Sequence, residues 1–313
     1  MDAKVLVKTD NLSREEWLEW RKKGISGSDA AAILGLNPYV SAFQVYMDKL
    51  GLLDEKEDNE AMRQGRDLEA YVASRFMEET GLKVRKVNSI LQHPKYNWMI
   101  GNIDRWIVGK NAGLECKTTS VLNKHKFSQG EFPANYYVQC MHYMAITGAN
   151  EWYLAVLVLN KGFHVFNIKR DEDEINALIE AEKNFWENNV LKQIPPAPDG
   201  SSSASELISN LYPSAKSGEK TALFGHEDKL QKIIDLKAKV KEIETEIDIL
   251  QQEIQLEMKD AEIGVAHGFT VTWKNWTTNR LDANRLKKEK PDIYESYLKT
   301  SSYRRFEIKK EDE

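Results

Sequence analysis

The sequence predicts an α/β chain of the α+β kind: a mixed central sheet flanked by helices, then a C-terminal heptad helix and a small β-containing extension. Three observations predict it. Hydrophobic spacing changes along the chain in the order helix, helix, strands, helix, strands, helix. A Pro- and Ser-rich stretch, IPPAPDGSSSASE, breaks that order at Ile194 to Glu206. Beyond it Ile233, Val240, Ile247 and Ile254 recur every seven residues, with Leu236, Ile243 and Leu250 three further on. The expected organisation is a core over 1–193, a linker over 194–206 and an extension over 207–313, its heptad helix covering about 227–261.

Each element has a local reason. SREEWLEWRKKG reads as a helix with Ser13 as N-cap, Glu16 at the capping-box position and Gly24 as its stop. GISGSDAAAILGLNPYVS gives a Gly/Ser turn into a short helix that carries Ser28 and Asp29 at its start and closes at Asn37-Pro38. DEKEDNE, Asp54 to Glu60, reads as a solvated acidic loop. A helix from about Glu60 to Thr80 aligns Leu68, Val72 and Phe76 on one face and ends at Gly81. KVRKVNSILQ, WMIGNIDRWIV and GLECKTT follow as three consecutive antiparallel strands separated by turn signals. ANYYVQCMHYMAITG is a helix from Ala134 to Gly148, WYLAVLVL and GFHVFNIK are strands, and Asp171 to about Val190 is a helix. In the extension, GFTVTWKNWTT and SYRRFEIKK read as two strands around LDANRLKKEKPDIYESYL. The heptad seam fits a partner helix or packing against the protein's own elements.

Composition removes several function classes. A chain of 313 residues with 41% hydrophobic and 30% charged residues is globular rather than disordered. Two cysteines, Cys116 and Cys140, make neither a disulfide framework nor a metal knuckle, so a reducing compartment and core packing are expected of them. The six histidines lack metal spacing, His142 is expected to pack on its helix, and zinc is not expected. The N-terminus is broken by charges, unlike a signal peptide, and no run approaches the ~18 apolar residues of a membrane span, so the expected location is the cytoplasm. A net charge of −5 argues against a passive nucleic-acid binder. From Arg280 to Lys310, however, ten Lys/Arg face five Asp/Glu, which suits a solvated face or a DNA or partner patch.

The chemistry concentrates in one hairpin. Alternation in GLECKTT puts Glu115, Lys117 and Thr119 on one face and Leu114, Cys116 and Thr118 on the other. With a turn centred on Lys110-Asn111, Asp104 of MIGNIDRW would sit opposite Lys117 and next to Glu115. Converging carboxylates repel unless a cation compensates, and hard oxygen donors suit Mg²⁺, with Mn²⁺ as the alternative. Lys117 supplies positive charge for a phosphodiester's developing negative charge. An Asp104–Lys117 cross-strand ion pair is the plain structural account of the same residues.

MRQGRDLEAYV adds a third carboxylate, Glu69, and VQCMHY adds Gln139 and Tyr143 one turn apart. Taken in order, WLEWRKKGISGSD, QGRDLE, GNIDR, GLECK, and YYVQCMHYMAITG with EWYLAV resemble the YqaJ-type viral recombinase family, which includes the phage lambda exonuclease, within the restriction-endonuclease-like nucleases. The match spans roughly Trp17 to Val158. The resemblance implies a restriction-endonuclease-like core in which Glu69, Asp104, Glu115 and the Cys116 backbone carbonyl are metal ligands. It further implies that Lys117 positions or activates the attacking water, that Gln139 aligns it or the phosphate, and that Arg21 and Ser28 grip a 5′-phosphate. Asn102 stands where the lambda pattern has a serine, which weakens that last implication.

The function expected is two-metal phosphodiester hydrolysis, with two Mg²⁺ ions per site, by a 5′→3′ double-strand DNA exonuclease. The resemblance implies that it works from duplex ends in phage or prophage recombination inside a bacterial host, and leaves a 3′ single strand for a single-strand-annealing recombinase. A trimeric ring is implied by the lambda relatives, which lack this C-terminal extension. An endonuclease on the same core and a non-catalytic DNA-binding or assembly protein are the competing readings. Closed circular DNA and the response to EDTA discriminate among them.

Overall fold

Serine caps set the early helices. β1 (Lys4–Lys8) leads into α1 (Arg14–Lys22), where Glu16 N donates to Ser13 Oγ at 3.2 Å and Ser13 N donates to the Glu16 carboxylate at 2.8 Å. In α2 (Gly27–Ile33) the Ser26 N and Oγ both donate to Asp29 Oδ2, and in α3 (Ala42–Lys49) Gln44 N donates to Ser41 Oγ. α4 (Glu60–Thr80) ends at Gly81, whose φ of 71° is the left-handed stop that glycine tolerates. The computed structural model describes residues 1–53, 59–127, 130–299 and 302–310. The acidic loop expected over Asp54 to Glu60 therefore lies outside the described residues from Asp54 to Asp58.

Short strands follow: β2 (Val84–Lys86), β3 (Ser89–Gln92), β4 (Ile100–Gly101) and β5 (Arg105–Ile107), then the longer β6 (Ala112–Thr119). A 3₁₀ turn over Val121–Phe127 leads to α5 (Ala134–Thr147), β7 (Glu151–Val158), β8 (Gly162–Lys169) and α6 (Glu172–Phe185), which continues as one π-helical turn to Val190. Then come α7 (Ser202–Leu211), α8 (Glu227–Met258), the hairpin β9 (Ile263–Ala266) and β10 (Phe269–Thr272), α9 (Ala283–Glu289) and α10 (Pro291–Ser296).

The central sheet has the order β2-β5-β6-β7-β8, mixed because β6 and β7 run parallel across the α5 crossover while the other pairs are antiparallel. This is the mixed sheet flanked by helices that the hydrophobic pattern predicts. Alternation along β7 divides the core. Leu154 and Val156 pack with α2, α3, α5 and α6, whereas Tyr153 and Ala155 pack with Val72, Ala73 and Phe76 of α4. Burying a side chain such as Phe76, which is 0% exposed, contributes about 1.5–3 kcal/mol.

Three readings are corrected. The three consecutive strands are in fact split between two sheets, since β3 and β4 join β1 in a separate antiparallel sheet. β1 was hidden because its lysines are exposed and only part of its apolar surface is covered. In the extension, the antiparallel β9·β10 hairpin turns at Gly268, so GFTVTWKNWTT contributes one strand of it, while SYRRFEIKK is not a strand among the described residues. Two compact units result, Met1–Asn210 and Leu211–Glu313. The stretch read as a linker ends in α7, whose Ala204 and Leu207 are buried, because those two residues share one helical face.

Candidate active site

The β5·β6 hairpin pairs Arg105 with Leu114 and Trp106 with Gly113. Extending that register brings Asp104 opposite Glu115, two residues short of the expected alignment with Lys117. The physical reason lies in two glycines. Gly109 takes φ of 80° and reverses the chain earlier than the expected turn, and Gly113 lies so close to the Trp152 ring that a Cβ would meet it at 2.3 Å. Because a shift of two preserves parity, Asp104 and Glu115 still share a face. Cys116 N donates to Asp104 Oδ2 at 2.8 Å and ties the two strands at that point.

Glu115 is the hub. Its Oε1 accepts from Lys117 Nζ at 2.6 Å and from Gln139 Nε2 at 2.8 Å, and Gln139 also donates to the Tyr143 hydroxyl at 3.0 Å. Among the described residues, Glu115 Oε2 is buried without a hydrogen-bond partner. Burial pushes the carboxyls of Asp104 and Glu115 above the usual range. The charges of Glu115 and Glu69 add to the shift at Asp104, and Lys117 only partly offsets burial at Glu115. At Lys117 burial works against the ammonium, but Glu115 and Asp104 outweigh it and hold the proton on Nζ. The Lys117 ammonium also faces the Tyr136 ring, 5.4 Å from its centroid.

Glu69 lines a cleft of 360 Å³ together with Asp104, Asn102 and Trp17. Its Oε1, however, is held by Arg105 Nη1 at 2.5 Å, and the same nitrogen donates to the Asp104 carbonyl at 2.7 Å. Among the described residues no three Asp, Glu, His or Cys side chains are already gathered into a metal cage. The structure thus brings Asp104, Glu115, Lys117 and Gln139 together, and leaves Glu69 at the cleft wall on a buried arginine.

Arg21 and Ser28 do meet: Arg21 Nη2 donates to Ser28 Oγ at 2.8 Å and to Ser26 Oγ at 3.0 Å. Asp29 lies 3.5 Å from the same guanidinium and 2.7 Å from the fully buried ammonium of Lys49, which also donates to the Arg21 carbonyl. Burial would raise the Asp29 carboxyl, yet Lys49 and Arg21 hold it far below the usual range. Asn102 Oδ1 accepts from Trp17 Nε1 at 3.3 Å. Gly27 links this cluster to Glu115's partners, since a Cβ there would meet Tyr143 at 2.7 Å and Gln139 at 3.1 Å.

His142 is buried in α5, donating from Nε2 to the Ile100 carbonyl at 2.9 Å and facing Glu182 Oε1 with Nδ1 at 2.7 Å. Cys116 and Cys140 are free thiols. Arg105, Lys49 and Tyr136 escaped the sequence reading. The charge of Arg105 directly after Asp104 in a strand of buried residues was the available signal, whereas Lys49 and Tyr136 gave none.

A family model described as the YqaJ-like viral recombinase domain matches residues 16–150. An uncharacterized protein, YqaJ, of Bacillus subtilis (strain 168) is 39% identical over 311 residues, 98% of each chain. Among solved structures, LHK-Exo in complex with dAMP aligns with TM-score 0.50 and 20% identity over 63% of this chain and 97% of that one. A structure of an alkaline exonuclease (LHK-Exo) from Laribacter hongkongensis aligns with TM-score 0.49 and 19% identity over 63% and 99%. At these identities the first structural likeness speaks to the fold alone.

Proposed function

Since the chain belongs to the YqaJ-like viral recombinase family, we propose that it is a divalent-metal-dependent DNA exonuclease that digests the 5′ strand of linear duplex DNA. The observation that carries this reading is the Asp104–Glu115 pair: a buried and a half-buried carboxylate on one face, with Glu115 Oε2 lacking a hydrogen-bond partner among the described residues. A pair of hard oxygen donors beside a cleft, only partly compensated by Lys117, fits Mg²⁺ or Mn²⁺. Asp104, Glu115 and the Cys116 carbonyl would hold the ions, and Glu69 would join them once it parts from Arg105. When bound, two such ions supply a nucleophile at neutral pH and stabilise the leaving oxygen of an in-line displacement.

The protein's own groups do the rest. Gln139 fixes Glu115 Oε1 and so aims Oε2 at the cation position. Lys117, kept protonated by Glu115 and Asp104, presents its ammonium to the scissile phosphate and stabilises the charge that grows there. Arg21, with Ser26 and Ser28 on its guanidinium, binds the terminal 5′-phosphate through charge-assisted hydrogen bonds. A homo-oligomeric ring and hand-over of the 3′ strand to an annealing recombinase complete the proposal.

A time course on linear duplex DNA with 5′-phosphate or 5′-hydroxyl ends tests it. Digestion should need Mg²⁺, stop in EDTA, favour the phosphorylated end and fall at least about a hundredfold in Asp104→Ala. Equal digestion by Asp104→Ala sinks the metal-nuclease reading, and cutting of closed circular DNA at the same rate turns it into an endonuclease.

A further inference from the structure

Helix α8 presents an apolar stripe to solvent. Leu236, Val240, Ile243, Ile247, Leu250 and Ile254, the first- and fourth-position residues of the heptads, are between 46% and 57% exposed. The positions that border this stripe carry a polar sequence of charges. Lys232, Lys237 and Lys239 flank its N-terminal half, and Glu244, Glu246 and Glu253 flank its C-terminal half. From Glu242 to Met258 the helix has six carboxylates and no Lys or Arg. None of the flanking six forms an ion pair among the described residues.

We propose that α8 pairs with the α8 of a second copy of this chain in an antiparallel two-stranded coiled coil. Flanking charges set the orientation of such pairs. In a parallel pair, the seventh position of one helix meets the fifth position of the next heptad on the other. That brings Lys232 against Lys237, leaves Glu246 against Gln251 and offers only Lys239 with Glu244. Reversing one helix instead places fifth positions beside fifth and seventh beside seventh. With Val240 facing Ile243, Leu236 facing Ile247 and Ile233 facing Leu250 of the second copy, Lys237 meets Glu244, Lys239 meets Glu246 and Lys232 meets Glu253. The two-fold axis repeats every one of these contacts, as a self-complementary isologous interface requires. At 1.5 Å per residue the 32-residue helix is about 48 Å long, enough for all three heptads to engage.

Light scattering on the eluting full-length chain tests this, and the outcome does not depend on the nuclease reading, because DNA digestion is followed separately on the same samples. Ile243→Asp with Ile247→Asp should lower the assembled mass by half or more. Lys237→Glu with Lys239→Glu should do the same without touching the seam, and adding Glu244→Lys with Glu246→Lys should restore it. Oxidation reads the orientation: a mixture of Leu236→Cys and Ile247→Cys chains should cross-link, and neither should cross-link to itself, since like positions lie about 16 Å apart along the antiparallel pair. A wild-type mass that these substitutions leave unchanged overturns the pairing. Self-cross-linking of Leu236→Cys overturns the orientation.

Discussion

Asp29 is a buried carboxylate and Asp104 a half-buried one, and their neighbours push them in opposite directions. Lys49 and Arg21 surround Asp29 and hold its carboxyl below the usual range, so its ionised form is part of the fold. A carboxyl depressed in the folded state contributes stability above its unfolded pKa of about 3.9 and loses it as pH falls through the lower folded value. Asp29→Asn should therefore cost about 3 kcal/mol at pH 7, because it leaves the fully buried Lys49 ammonium with only the more distant Asp48 carboxylate, at 3.3 Å, to compensate it. The gap from wild type should close in melting curves taken progressively below pH 4; a gap independent of pH would show that the ion pair is not its source. Asp104 is the opposite case: burial and the Glu115 and Glu69 charges oppose its ionisation. That unfavourable concentration of charge opposes ionisation of the pair, and the divalent cation proposed for the site would relieve it.

At the scale of elements, the site depends on how closely α2 approaches α5. Gly27 permits that approach, and through it the Arg21–Ser28 cluster is braced against Tyr143 and Gln139, the residues that orient Glu115. Gly27→Ala forces a Cβ into the Tyr143 ring at 2.7 Å, and overpacking of this kind costs about 1–3 kcal/mol. The expected result is a melting temperature lower by several degrees and a slower digestion of linear duplex. An unchanged melting temperature would mean that the two helices do not touch there. The β5·β6 hairpin shows the same dependence on glycine, since Gly109 and Gly113 together decide which residue faces Asp104.

At the scale of the molecule, the chain forms two compact units that meet at Asn210 and Leu211 in the sequence. The stretch from Tyr212 to His226 has no regular secondary structure, and its Lys216 side chain is 85% exposed. Exposed polar segments of this kind are where proteases nick first. Brief trypsin treatment should cut after Lys216 or Lys220 and leave an N-terminal fragment of the first unit, identified by intact mass. First cuts at the lysines of α8 would instead mean that the helix is frayed.

The mixed sheet and its flanking helices, the caps at Ser13 and Gly81, the extent of α4 and β8, and the shared face of Asp104, Glu115 and Lys117 are all legible along the chain. These follow from periodicity and parity, which are local properties of the chain. Tertiary structure alone decided the pairing of Asp104 with Glu115, the capture of Glu69 by Arg105, the burial of Lys49 against Asp29 and the division of the short strands between two sheets. Each of those depends on where distant segments meet. A two-residue change of register leaves every side chain on its original face, so the hydrophobic pattern is blind to it, and only the packing of Gly113 on Trp152 and the turn at Gly109 select one alignment.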